Sequence, residues 1–81
     1  MTPALSPVSP QVMKALLEKD GFRVSRETEF HWTLFKENAS MPVIVVPKKG
    51  DLLALDVMMG ILDMIKMSNG RYAELLRETK N

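Results

Sequence analysis

The chain has 81 residues, no cysteine, one histidine and a formal net charge of +1, from eleven basic and ten acidic residues. It has the size of one small domain, and the lack of cysteine excludes disulfides and thiolate metal sites. One histidine among scattered carboxylates argues against zinc, and no apolar run reaches the ~18 residues that span a membrane. We therefore expect no metal, no cofactor and no membrane contact, and we expect a cytoplasmic protein.

The N-terminal part of the chain predicts a tail followed by a helix. Residues 1–8 are rich in Pro and Ser, which predicts a flexible tail before a single domain over residues 9–81. The segment SPQVMKALLEKDG then predicts the first helix. Ser9 can cap its start, Pro10 suits its first position and Gly21 suits the left-handed residue after its end.

Three strands are predicted next, at residues 22–26, 29–36 and 41–47. Alternation divides the second strand into two faces: one carries Phe30, Trp32 and Leu34, and the other carries His31, Thr33 and Phe35. Pro42 and Pro47 flank the third strand, which fits either a position at the edge of the sheet or the two ends of the strand.

Residues 52–67, LLALDVMMGILDMIKM, predict a helix that is apolar around most of its circumference, and Asp51 is a plausible cap for it. One small sheet cannot cover such a helix. We therefore expect a second chain, in a homodimer or a hetero-complex, to cover its methionines: Met58, Met59, Met64 and Met67. A short last helix, SNGRYAELLRETK, can pack back through Tyr72, Leu75 and Leu76. The predicted fold is α+β in the order α-β-β-β-α with this extra helix: a three-stranded antiparallel sheet whose helices pack on one face.

The single histidine and the basic residues each allow a functional and a structural interpretation. His31 in a strand is either a half-buried side chain or a proton-transfer group. The candidate phosphate contacts are Arg26, Lys36, Lys48 and Lys49, which could equally be solvated surface charges.

Several short motifs, in this order, resemble the HicA (YcfA-like) family of toxin messenger-RNA interferases. They are LLEKDGF at 16–22, Arg26 a few residues later, a histidine in the second strand, VVPKKGD at 45–51, and the ending ILDMIKMSNGRYAELL. The resemblance covers about Gln11 to Leu76. Glu29 and Phe30 stand where the family has Gly-Ser before the histidine, and Asp56 and Asp63 lie in a helix that the family makes basic.

The resemblance implies a fold like the double-stranded-RNA-binding domain, metal-independent RNA cleavage by His31, and neutralisation by a HicB-like antitoxin. Two functions stay open. The first is a HicA-like toxin that binds RNA, and cleaves it if His31 acts as general acid/base beside Glu29 and Phe30. The second is a non-catalytic module of the same fold that dimerises or binds a partner protein through the 52–67 helix.

Overall fold

A computed structural model describes residues 7–39 and 41–80, as six elements. These are α1 (Pro10–Lys19), β1 (Arg23–Glu27), β2 (His31–Phe35), β3 (Val43–Pro47), α2 (Leu55–Met64) and α3 (Asn69–Lys80). The strands form one antiparallel sheet in the order β1-β2-β3. The helices lie on one face of this sheet, so the predicted α+β architecture is confirmed.

Helix α1 has the ends that the sequence predicts. The Ser9 side chain accepts a hydrogen bond from the Val12 amide at 3.2 Å, and Pro10 occupies the first turn. Gly21 follows the helix with φ +105°, a conformation that residues with a Cβ rarely adopt. The helix buries one stripe of side chains: Pro10, Met13, Leu16 and Leu17.

The last residue of the predicted N-terminal tail, Val8, lies in the packed domain. Val8 is buried, and its carbonyl accepts a hydrogen bond from the Leu53 amide at 2.8 Å. Val8 therefore belongs to the core, whereas residues 1–6 of the predicted tail lie outside the described residues.

The sheet has one covered face, formed by Trp32 and Leu34 of β2 and by Ile44 and Val46 of β3. The predicted placement of Phe30 on this face is wrong, because Phe30 is 66% exposed. Strand β2 begins only at His31, and residues 28–30 form the hairpin turn.

Helix α2 is shorter than predicted and starts later. Ala54 occupies the N-cap position and supplies no side-chain hydrogen bond, so the predicted capping role of Asp51 is wrong. The ten residues of α2 bury Met58, Ile61 and Leu62.

Helix α3 completes the core as the sequence predicts. Tyr72 and Leu75 are buried, and Leu76 packs against the core while partly exposed. The Tyr72 hydroxyl donates to the Met58 sulfur at 3.5 Å, which joins α3 to α2.

Candidate functional site on the open face of the sheet

In residues 7–39 and 41–80 no helix lies on the second face of the sheet, and we call this face the open face. Its residues are Arg23 and Arg26 of β1, His31, Thr33 and Phe35 of β2, and Val43, Val45 and Pro47 of β3. The two valines are each 48% exposed, whereas their neighbours Ile44 and Val46 are buried. The open face is thus a solvent-accessible surface of mixed apolar and basic character.

The register of the strands arranges the open face in three cross-strand rows. Arg23 lies opposite Phe35, and Phe35 lies opposite Val43. Thr33 has Arg26 on one side and Val45 on the other. The third row holds the histidine of β2 opposite Pro47 of β3. Because directly opposed residues share a face, each arginine has an apolar or hydroxyl neighbour there.

A β-bulge places Arg26 on the open face. Simple alternation from Val24, which packs against the core, would direct Arg26 to the covered face. The register shifts between Val24 and Arg26, so Ser25 is the extra residue and Arg26 pairs with Thr33. The Ser25 hydroxyl donates to the Thr33 carbonyl at 3.2 Å. Arg26 thereby joins Arg23 on the same face.

The hairpin turn holds the backbone of His31. The His31 amide donates to the Thr28 hydroxyl at 3.0 Å, and the His31 carbonyl accepts from the Thr28 amide at 2.9 Å. The imidazole is exposed, and no side chain in residues 7–39 or 41–80 hydrogen-bonds to it. A proton-transfer role for this imidazole would therefore proceed without an orienting carboxylate, unlike the arrangement of a catalytic triad.

Two of the predicted phosphate contacts, Lys36 and Lys48, form ion pairs and lie over aromatic rings of the core. The Lys36 ammonium lies 3.3 Å from an Asp20 carboxylate oxygen and 5.6 Å from the Phe22 ring centre. The Lys48 ammonium lies 4.9 Å from the centre of the Trp32 ring. Neither lysine is in the three rows of the open face.

The Lys48 ammonium also contacts the Glu27 carboxylate at 2.5 Å. This hydrogen bond, together with the charge of Lys48, holds the pKa of Glu27 below its ordinary value. A carboxyl with a lowered pKa adds stability above its ordinary pKa, and the gain is lost as the pH falls through the folded-state value. The ion pair therefore links β1 to the segment after β3 at neutral pH, and it weakens in acid as the Glu27 carboxylate is protonated.

Of the four predicted phosphate contacts, only Arg26 shares the open face with His31. Lys49 is exposed and forms no ion pair with any residue in the described part of the chain. Arg23 was missing from the predicted set, although its alternation with Phe22 and Val24 already indicates an outward position.

A shallow depression of about 310 Å³ lies at the Phe35 end of the open face. It is lined by Gly21, Arg23, Phe35, Lys36 and Glu37. The Arg23 guanidinium and the Phe35 ring are the groups in it that can stack on a planar ligand.

The outer face of α2 is a second candidate surface. We define it as the exposed residues of the helix: Leu55, Val57, Met59 and Met64, with Asp56, Gly60 and Asp63 between them. Met59 is 50% exposed and Met64 is 46% exposed. The prediction that a partner covers Met58 is wrong, because its exposure is 0% and the chain's own core covers it. Met67 is partly buried against that core.

Comparisons with protein-family models, curated proteins and solved structures found no match. Within residues 7–39 and 41–80, no three His, Asp or Glu side chains come close enough together to bind a metal ion. In the same part of the chain, no helix combines the length and the hydrophobicity of a membrane span.

Proposed function

We propose that the open face binds RNA and that His31 is its proton-transfer group. The observation that supports this proposal is the placement of His31, Arg23 and Arg26 on one exposed face. Neither arginine forms an ion pair with a described residue, so both guanidinium groups are free to bind phosphate oxygens.

The chemistry that suits this arrangement is cleavage through the ribose 2′-hydroxyl. The 2′-oxygen attacks the adjacent phosphorus after losing its proton, and the 5′-oxygen leaves as it gains one. His31 can accept the first proton or deliver the second, and an arginine can stabilise the charge on the phosphate. Water would carry the proton transfer that His31 does not.

The spacing along β2 allows one RNA strand to reach both ends of the open face. His31 and Phe35 are four residues apart, which is ~13 Å at the rise of an extended strand. Phe35 can stack on a base beside Arg23 while the phosphate backbone passes the imidazole. Two arginines give few phosphate contacts, so we expect weak binding with a salt slope of about −1.4 for single-stranded RNA.

The motifs shared with the HicA family support the same proposal. On that interpretation the chain is a HicA-like toxin, and a HicB-like antitoxin would neutralise it. The open face would then be the surface that the antitoxin must block. Glu29 and Phe30 lie in the turn before β2, so the bulk and charge they add stand at the histidine end of the site.

Expression of the wild type and of His31→Ala tests the catalytic role. We expect growth arrest and RNA fragmentation from the wild type, and loss of both from His31→Ala. The same loss is expected from His31→Gln, which keeps hydrogen bonding without proton transfer at neutral pH. Equal RNA decay from wild type and His31→Ala, or none from either, would remove the catalytic claim.

RNA affinity tests the binding surface separately from catalysis. Arg26→Ala should weaken the binding of a labelled single-stranded RNA and reduce the magnitude of the salt slope by ~0.7. Lys48→Ala is the matched control, because this cation is paired with Glu27 and lies away from the open face. Fluorescence anisotropy at several salt concentrations measures both variants. A larger loss from Lys48→Ala than from Arg26→Ala would place the RNA elsewhere.

The second candidate function is a non-catalytic module that binds a partner protein through the outer face of α2. The exposure of Leu55 and Met59 favours it, because these two lie one helical turn apart on the same side of α2, and grouped apolar side chains are typical of interfaces. This function predicts a stable complex and no RNA binding at physiological salt.

A further inference from the structure

Within the described part of the chain, two surfaces each lack a covering layer. The open face exposes Val43 and Val45, each by 48%. An antiparallel sheet commonly leaves one face in water, but that face is then ordinarily polar, whereas this one carries two exposed valines. The outer face of α2 exposes Leu55, Met59 and Met64, and a helix buries such side chains against another element. The first surface is a sheet face that no described helix covers, and the second is a helix face that exposes apolar side chains.

The charges on these two surfaces are opposite. The open face carries Arg23 and Arg26 and no carboxylate in its three rows. The outer face of α2 carries Asp56 and Asp63, and neither forms an ion pair with a described residue. The two aspartates are seven residues apart, ~10.5 Å along the helix axis. They form an acidic stripe between apolar side chains.

Charge disfavours the two symmetric ways of pairing these surfaces. Two copies that met through the centres of their α2 faces would bring Asp56 and Asp63 against the same carboxylates. Two copies that met through their open faces would bring Arg23 and Arg26 together. Facing like charges costs free energy in an interface, whereas the unlike pairing of helix with sheet places each aspartate near an arginine.

We propose that the occupant of the open face is the α2 helix of a second copy of this chain. The contact is head-to-tail: α2 of one copy covers the valines, Phe35 and the arginines of the next. Such a heterologous contact leaves one free helix and one free sheet at the ends of a dimer, so it can extend further unless it closes. The proposal does not rest on RNA binding, and because α2 would cover the same arginines, RNA and the second copy would compete for the open face.

Sedimentation equilibrium of the full chain over a micromolar to millimolar series tests the proposal. The helix variant is Asp56→Lys with Asp63→Lys, and the sheet variant is Arg23→Glu with Arg26→Glu. We expect the average mass of the wild type to rise with concentration, and each variant alone to associate at least ~10-fold more weakly. A control with Glu78→Lys, an exposed residue of α3, should behave like the wild type.

An equimolar mixture of the two variants tests the unlike pairing of helix with sheet. The aspartates of the sheet variant meet the arginines of the helix variant, and the introduced lysines meet the introduced glutamates, so unlike charges return at both contacts. We expect the mixture to regain association, with an average mass that rises with concentration as for the wild type.

Three results would overturn the proposal: a wild type that is monomeric throughout, a sheet variant that associates like the wild type, or a mixture that stays monomeric. The neutral pairs Asp56→Asn with Asp63→Asn and Arg23→Gln with Arg26→Gln repeat the test with smaller charge changes. Circular dichroism verifies that each variant is folded.

Discussion

Helices α1 and α2 have the same length but differ in how completely this chain surrounds them. Each has ten residues. Helix α1 has a side-chain cap at Ser9, and glycine follows its end. Its most exposed positions are polar: Gln11, Glu18 and Lys19. Helix α2 has neither a side-chain cap nor a following glycine, and it exposes leucine, valine and methionine.

The difference is that the apolar side chains of α1 are mostly buried in the fold, whereas several of those of α2 are exposed. Packing and capping within the chain fully account for α1. For α2, the described residues cover only the stripe of Met58, Ile61 and Leu62 and leave exposed apolar residues on both sides of Asp56 and Asp63. A partner would therefore bury more apolar surface by contacting α2 than by contacting α1.

Truncation of one methionine in each helix should show the largest difference. Met13 in α1 has 0% exposure, and Met59 in α2 has 50%. We expect Met13→Ala to lower the free energy of unfolding by ~2–5 kcal/mol, because it leaves a cavity in the core. Met59→Ala should change it by no more than ~0.5 kcal/mol in dilute solution. Urea unfolding followed by Trp32 fluorescence measures both, and similar losses would refute the comparison.

The ends of the two helices offer a second matched pair. Phe22 donates its amide to the Leu17 carbonyl after α1, and Met67 donates to Leu62 after α2, so both helices close with the same Schellman hydrogen bond. The left-handed residue in this motif is Gly21 (φ +105°) after α1 and Lys66 (φ 56°) after α2.

Removal of glycine after α1 and introduction of glycine after α2 should change the free energy of unfolding in opposite directions. Gly21→Ala should lower the free energy of unfolding by ~1–2 kcal/mol, because alanine is strained in the left-handed conformation. The new Cβ would in addition lie 3.3 Å from the Lys36 Cε. Lys66→Gly should gain up to ~1 kcal/mol by removing the left-handed strain. Thermal unfolding by circular dichroism measures both changes. A gain from Gly21→Ala or a marked loss from Lys66→Gly would contradict this account.

The N-caps should give the smallest effects. Ser9→Ala should cost ~1 kcal/mol, because it removes the hydrogen bond to the Val12 amide. Ala54→Ser should gain ~0.5–1 kcal/mol, since Ala54 (φ −61°, ψ 140°) already has a backbone like that of Ser9 (φ −67°, ψ 156°). Chemical denaturation of both variants checks the signs. Equal destabilisation by the two substitutions would show that α2 does not start where the structure places it.

Local sequence chemistry predicts α1 well and α2 poorly, for physical reasons. Ser9 and Gly21 act through hydrogen bonds and dihedral angles within a few residues of themselves. The start of α2 depends on a distant contact: Leu53 is buried, and its amide bonds to the Val8 carbonyl. This holds the chain before Ala54 out of the helix, so Asp51 lies too early to cap it.

The candidate site was only partly predictable for the same reason. Alternation along β2 correctly separates His31 from Trp32. It cannot reveal the bulge that moves Arg26 to the open face, since a bulge appears only in the pairing of two strands. It also cannot reveal that Lys48 pairs with Glu27, which is 21 residues away.

The position of the methionines gives the chain an uneven sensitivity to oxidants. Met13 and Met58 have no exposed surface, and the Met58 sulfur also accepts the Tyr72 hydroxyl. Met59 and Met64 are about half exposed, so peroxide reaches their thioethers first. Oxidation of these two side chains to the sulfoxide would make them polar and would leave the core intact. Mild oxidation followed by peptide mass spectrometry would therefore mark the outer face of α2 before any other described helix.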